Sequence, residues 1–189
     1  MSLKTILLGA AAIGILAACS SEAPTETAET ETVETVAAET PTYDAAAFYG
    51  TVSLRSSSPG GFAFSPDGSK VLISSDETGI YNAYTVDIET GEQTALTQST
   101  VESVSASTFF PEDERILYMA DNGGDELDHV FVREIDGTVT DLTDTENTKA
   151  SFGGWSADGS SFYVITNERD PRFFDIYAYS ADDYSREMI

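Results

Sequence analysis

Phe64-Ser65-Pro66-Asp67-Gly68-Ser69-Lys70-Val71-Leu72 decides the fold, because the pattern returns twice. Phe109-Phe110-Pro111-Glu112-Asp113-Glu114-Arg115-Ile116-Leu117 is the second copy, and Trp155-Ser156-Ala157-Asp158-Gly159-Ser160-Ser161-Phe162-Tyr163 is the third. The opening aromatic residues lie 45 and then 46 residues apart. A fixed period of that size in strand-rich sequence marks a β-propeller blade. In the first copy Pro66 presets φ, Asp67 caps the turn and Gly68 takes the positive φ at its end.

Outward from these turns, each unit divides into four short strands. The first unit gives an inner strand at 62–64, a second at 70–74, a third at 82–88 and an outer one at 93–96, with Gly91 in the last turn. The second repeats this at 116–119, 129–133 and 139–142, with Gly137 as the turn glycine. The third has 161–165 and 175–179, and Tyr184 falls where the glycine stood. Leu96-Thr97 matches Leu142-Thr143. The same spacing sets Asn82, Asp128 and Asp175 in one position and His129 opposite Ala83. A polar residue at that shared position is expected to hydrogen-bond a neighbouring loop backbone. The expected fold is all-β: an incomplete β-propeller of about three four-stranded blades, near 60–98, 104–144 and 150–189 of a folded region 43–189. Residues 43–49 form a lead-in with a helical turn, their aromatic rings packed on the first blade.

A blade buries both faces against neighbours, and propellers close with about 4 to 8 blades. Three units leave two apolar faces in want of cover. The expectation is the front part of a larger protein; a three-unit protein that dimerises is the alternative.

Ahead of the blades, Lys4 precedes a 13-residue apolar run over 6–18. That is shorter than the ~20 residues a membrane-spanning helix needs, and fits a secretory signal. Leu16-Ala17-Ala18-Cys19 resembles a bacterial lipobox. The resemblance implies a signal peptide at 1–18, acylation of Cys19, and a lipid-anchored, periplasm-facing place in the bacterial envelope. Ser20 after the cysteine favours the outer membrane. Residues 20–42 are Ser, Thr, Ala, Pro and Glu apart from Val33 and Val36, without a basic residue; they are too poor in apolar surface to fold, and 19–42 is expected to form a disordered acidic linker. Cys19 is the sole cysteine, which excludes disulfides and cysteine-built zinc sites within the chain. With 9 Lys and Arg against 33 Asp and Glu, a net charge of -24 repels phosphate, so nucleic acid is not a partner.

Catalytic chemistry is weakly represented. Gly154-Trp155-Ser156-Ala157-Asp158 approaches a nucleophile elbow but lacks the final glycine, and Ser156 aligns with the turn serine Ser65. His129 is the only histidine and is expected to be a partly buried strand residue. The acidic, glycine-rich 121–128 invites a calcium reading, yet by alignment it is the loop between second and third strands. Its counterpart at 168–174 holds Arg169, Arg172, two carboxylates and two phenylalanines. Self-pairing is one reading of it; the other has Arg169 and Arg172 grip a peptide carboxylate. No catalytic residue, cofactor or metal is expected in these 189 residues.

Two loop segments, Tyr118-Met119-Ala120-Asp121-Asn122-Gly123-Gly124-Asp125-Glu126-Leu127 and Thr166-Asn167-Glu168-Arg169-Asp170-Pro171, resemble the N-terminal propeller of bacterial prolyl oligopeptidase family serine peptidases. The resemblance implies a propeller that screens short peptides for an α/β-hydrolase domain carrying a Ser-Asp-His triad. None of that triad maps onto this chain, which is expected to be silent alone. The repeat also resembles Tol-system propellers, which implies a non-enzymatic envelope scaffold as the alternative.

Overall fold

The structure is a computed structural model that describes residues 40–189. Residues 1–39, with the signal segment, Cys19 and most of the acidic linker, lie outside the described residues.

Three four-stranded antiparallel sheets follow one another along the chain, each in sequential strand order. The first blade comprises β1 (Leu54–Ser56), β2 (Lys70–Ser75), β3 (Asn82–Asp87) and β4 (Gln93–Ala95). The second comprises β5 (Val104–Phe109), β6 (Ile116–Ala120), β7 (His129–Arg133) and β8 (Val139–Asp141). The third comprises β9 (Ala150–Trp155), β10 (Ser161–Asp170), β11 (Phe173–Ser180) and β12 (Arg186–Met188). The all-β blade architecture expected from the repeat is what the chain adopts.

Side-chain alternation turns the middle blade into a two-sided spacer. Ile116, Tyr118, Ala120 and Phe131 face the first blade and pack with Leu72, Ala83, Val104, Ala106 and Phe109. Leu117, Val130 and Val132 face the third and pack with Phe152, Phe162, Val164 and Tyr179. The blades are also laced by backbone: Val104 N–H donates to Tyr81 C=O at 2.9 Å, and Ala150 N–H to Asp128 C=O at 2.7 Å.

Each inner strand is interrupted. In β5 and β9 the register slips by one residue, at Ser107 and Gly153. In the first blade a five-residue excursion replaces that bulge. Leu54–Ser56 pairs with the far half of β2, while Phe64 makes only an isolated bridge to Val71. The inner edge of the first blade therefore starts before the expected 62–64 strand and before the expected blade boundary at 60. Residues 57–61 instead lean on β5, where Ser58 N–H donates to Ser107 C=O at 2.9 Å. Gly61 sits so close that a Cβ there would lie 2.5 Å from the Ser107 oxygen. Thr108 Oγ1 joins all three blades: it accepts from Phe62 N–H at 2.8 Å and from Trp155 Nε1–H at 2.9 Å.

The lead-in forms a short helix, α1 (Ala45–Tyr49), capped by Asp44, whose carboxylate accepts the Ala47 N–H at 2.8 Å. Its aromatic residues do not pack on the first blade, contrary to expectation. Tyr43 and Phe48 meet edge-to-face, and Tyr49 is 90 % exposed. A five-residue helix with no buried residue has no apolar face to dock.

Candidate functional site

The repeat turns hold their serines in a structural role. Ser156 Oγ donates to Asp158 at 2.7 Å and accepts Ser161 N–H at 3.0 Å. Ser65 does the same with Asp67 and Lys70 at 2.7 and 3.0 Å. A hydroxyl committed twice to its own turn has no base to activate it. These donors, the serine hydroxyl foremost, hold Asp67 and Asp158 at about 2.

Strand registers revise the alignment of the third strands. Ser75, Ala120 and Thr166 hold equivalent positions in the second strands, and their partners are Asn82, His129 and Asp175. His129, not Asp128, thus occupies the shared polar position, and Asp128 corresponds to Tyr81. The 121–128 loop exceeds the first by two residues, and the next turn is one residue shorter, so the later Leu-Thr match conceals the slip. The expected loop contact is made by Asn82, which takes Ser99 N–H at 2.7 Å and gives to Ser99 C=O at 3.0 Å.

At the same position His129 Nδ1 lies 2.6 Å from Asp141 Oδ2. An ionised carboxylate only accepts, so Nδ1 carries the proton. Asp141 is itself oriented by Thr143 N–H at 2.8 Å, while Thr143 Oγ1 caps Val130 N–H at 3.0 Å. The His–Asp half of a catalytic constellation is present, but among the described residues no hydroxyl is hydrogen-bonded to the histidine. Ser99, which lines the same cavity as His129, directs its hydroxyl to Glu102 at 3.3 Å.

The pair borders a cavity of about 720 Å³ between the first two blades. Tyr118 and Phe131 stack along it at 5.1 Å and 10°, and His129 continues the stack at 6.3 Å from Phe131. Leu96, Val104 and Val139 add apolar wall; Glu102, Asp121 and Asp141 supply carboxylates, and no Lys or Arg lines it. Burial first, and then the charge of Asp141, push the Tyr118 phenol up. The cavity is an acidic, aromatic cleft of ligand size. No single repeat announces it, because its walls come from two repeats.

The other flagged residues are occupied locally. In the 121–128 loop Asp125 accepts the N–H groups of Asn122 and Leu127, and no group of three metal-binding side chains converges among the described residues. The 168–174 segment is mostly strand rather than loop, β10 and β11 meeting at a tight turn where Asp170 pairs with Phe173. Arg169 grips Asp175 through two bonds of 2.6 and 2.8 Å, and Arg172 holds Asp170 at 2.7 Å. Phe173 and Phe174 remain more than half exposed beside them.

Among curated proteins the chain is similar to dipeptidyl aminopeptidase BIII of Pseudoxanthomonas mexicana, 27 % identical over 128 residues, which is 66 % of this chain and 19 % of the relative. The chain thus matches about a fifth of that relative's length. Among solved structures it resembles TolB from Acinetobacter baumannii, with a TM-score of 0.53 and 21 % identity, covering 72 % of this chain and 32 % of that one. It also resembles a prolyl endopeptidase, with a TM-score of 0.52 and 14 % identity, covering 67 % of this chain and 20 % of that one. No protein family model matches. The chain is a propeller-type stack, and it resembles the propeller portion of prolyl oligopeptidase-type peptidases.

Proposed function

We propose that this chain is the propeller part of a prolyl oligopeptidase-type serine peptidase and admits short peptides to a hydrolase domain outside these 189 residues. The observation that carries this is the 27 % identity to a dipeptidyl aminopeptidase, sustained over 128 residues. In this reading Cys19 is acylated and holds the protein on the periplasmic side of the envelope, with the acidic linker as tether. The exposed turn at Arg169, Arg172 and Phe173 contacts the peptide. The chain by itself breaks no bonds, in keeping with a Ser156 hydroxyl locked in its turn.

Two experiments test the reading. Purified protein incubated with a dipeptidyl p-nitroanilide should release no chromophore, and release abolished by Ser156→Ala would overturn it. DNA beyond codon 189 should encode Gly-x-Ser-x-Gly followed by Asp and His. The second reading is an envelope scaffold, favoured by the TolB-like blade geometry; further blades followed directly by a stop codon would select it. For the anchor, an alkyne fatty acid fed to the producing cells should label the protein, and Cys19→Ser should abolish the label.

A further inference from the structure

The two seams of this molecule place equivalent residues in equivalent positions, and one seam already contains a guanidinium. In the third blade Arg186 lies opposite Tyr179 across β11 and β12. Its guanidinium carbon sits 5.1 Å from the Tyr177 ring centre and 5.6 Å from that of Tyr179. One nitrogen lies 2.7 Å from Glu168, whose side chain is only 9 % exposed, and 2.7 Å from the Tyr179 hydroxyl. A cation thus lies on aromatic faces beside a carboxylate, on the side of the third blade that packs toward the second.

Strand pairing gives the counterparts in the middle blade. Phe131, opposite Asp141, corresponds to Tyr177, opposite Met188; Val139, opposite Arg133, corresponds to Arg186. Val139 is shorter than Arg186, and the Arg133 guanidinium is engaged across the same seam, donating to Leu96 C=O at 2.8 Å and to Glu134 C=O at 3.2 Å. The cleft of about 720 Å³ is bordered by the half-buried Phe131 ring, with Glu102, Asp121 and Asp141 around it.

We propose that the cleft between the first and second blades binds a guanidinium- or amidinium-type cation, its flat head on the Tyr118–Phe131 stack and its charge toward Glu102 and Asp121, in the manner of Arg186 one seam away. Aromatic faces attract such cations, and desolvation in a cleft strengthens the attraction. Three carboxylates line the cleft and no Lys or Arg does, Arg133 being held on the Leu96 carbonyl at its border. This site is independent of the peptidase reading and is measured on the chain itself.

The test uses benzamidine as probe, benzamide as its neutral twin, and the proton resonance of His129, the only histidine. Benzamidine should shift that resonance saturably, and benzamide should bind at least tenfold more weakly. Val139→Arg, which supplies the missing guanidinium in cis at an exposed position, should abolish the saturable shift while leaving the melting temperature unchanged or higher. Glu102→Gln with Asp121→Asn should weaken benzamidine about tenfold, about 1.4 kcal/mol. Equal binding of benzamide, no saturable shift in the parent, or undiminished binding in both variants would overturn the proposal.

Discussion

The seam between blades two and three is the more fully packed, with a cavity of about 230 Å³ at its rim, whereas the seam between blades one and two holds the cleft of about 720 Å³, although both are built from the same repeat. On the filled side Phe110, Trp155, Phe162 and Tyr179 interlock, with Phe110 and Phe162 edge-to-face at 5.9 Å and Phe162 stacked on Tyr179 at 5.3 Å. A polar cluster closes its rim. Arg115 donates to the Tyr184 hydroxyl at 2.7 Å and to Ala181 C=O at 2.9 Å, and Tyr184 donates to Glu134 at 2.5 Å. On the open side the core is largely small and aliphatic, Leu72, Ala83, Val104, Ala106 and Ile116, and the Lys70–Glu114 pair at 2.6 Å stands partly in solvent. The difference shows that a repeat fixes the backbone spacing of blades, while a few substitutions at matched positions decide whether a seam becomes core or cleft.

Truncation on each side separates the seams most strongly. Phe162→Ala removes a fully buried ring from the filled seam and should cost about 3–5 kcal/mol, read as loss of the denaturation midpoint. Phe131→Ala removes a ring that already borders open space, and should cost under about 2 kcal/mol because fewer packing contacts are lost. Equal costs would erase the distinction.

The polar rim comes next. Tyr184 occupies the turn position held by Gly91 and Gly137 and carries the same positive φ, 58° against 74° and 90°. A tyrosine tolerates that strain because its hydroxyl bridges two blades. Burial first, and then Glu134, push that hydroxyl up to about 12. Tyr184→Phe should therefore lower stability by about 1.5 kcal/mol in a urea titration. The raised value favours the neutral phenol in the folded state. Its contribution is complete below the ordinary 10.0 and is lost as pH rises through about 12. The parent should lose stability across that window, and Tyr184→Phe should lose less.

The smallest effect lies in the turns, which serve both seams alike. Asp67 and Asp158 are held at about 2 against an ordinary 3.8. A depressed carboxylate stabilises above its ordinary value, and the stabilisation is lost as pH falls through about 2. Thermal melts should fall over that range, and Asp158→Asn should reduce the drop. An unchanged drop would mean that the acid sensitivity resides elsewhere.

Much of the fold was legible because the repeat carries its own chemistry. Ser-Pro-Asp-Gly at 65–68 and Ser-Ala-Asp-Gly at 156–159 mark their turns, Leu-Thr marks the ends of the first two outer strands, and Tyr184 stands at a glycine position. Strand β1 is not legible, because Leu54–Ser56 is exposed throughout and holds its place by backbone pairing, so no alternation announces it. Spacing alone places His129 one residue off because a two-residue longer loop and a one-residue shorter turn nearly cancel, and one residue in a strand exchanges its faces. The His129–Asp141 pair and the cleft followed from that register. Neither is visible until the third and fourth strands are paired.

Residue-resolved native-state hydrogen exchange tests the asymmetry of the seams most directly, because protection reports local opening free energy. The account predicts that the amides of Val130, Val132 and Val164 exchange slowest and together, with those of β3 and β4 opening earlier and independently. Equal protection across both seams, or opening of the third blade before the first, would contradict it.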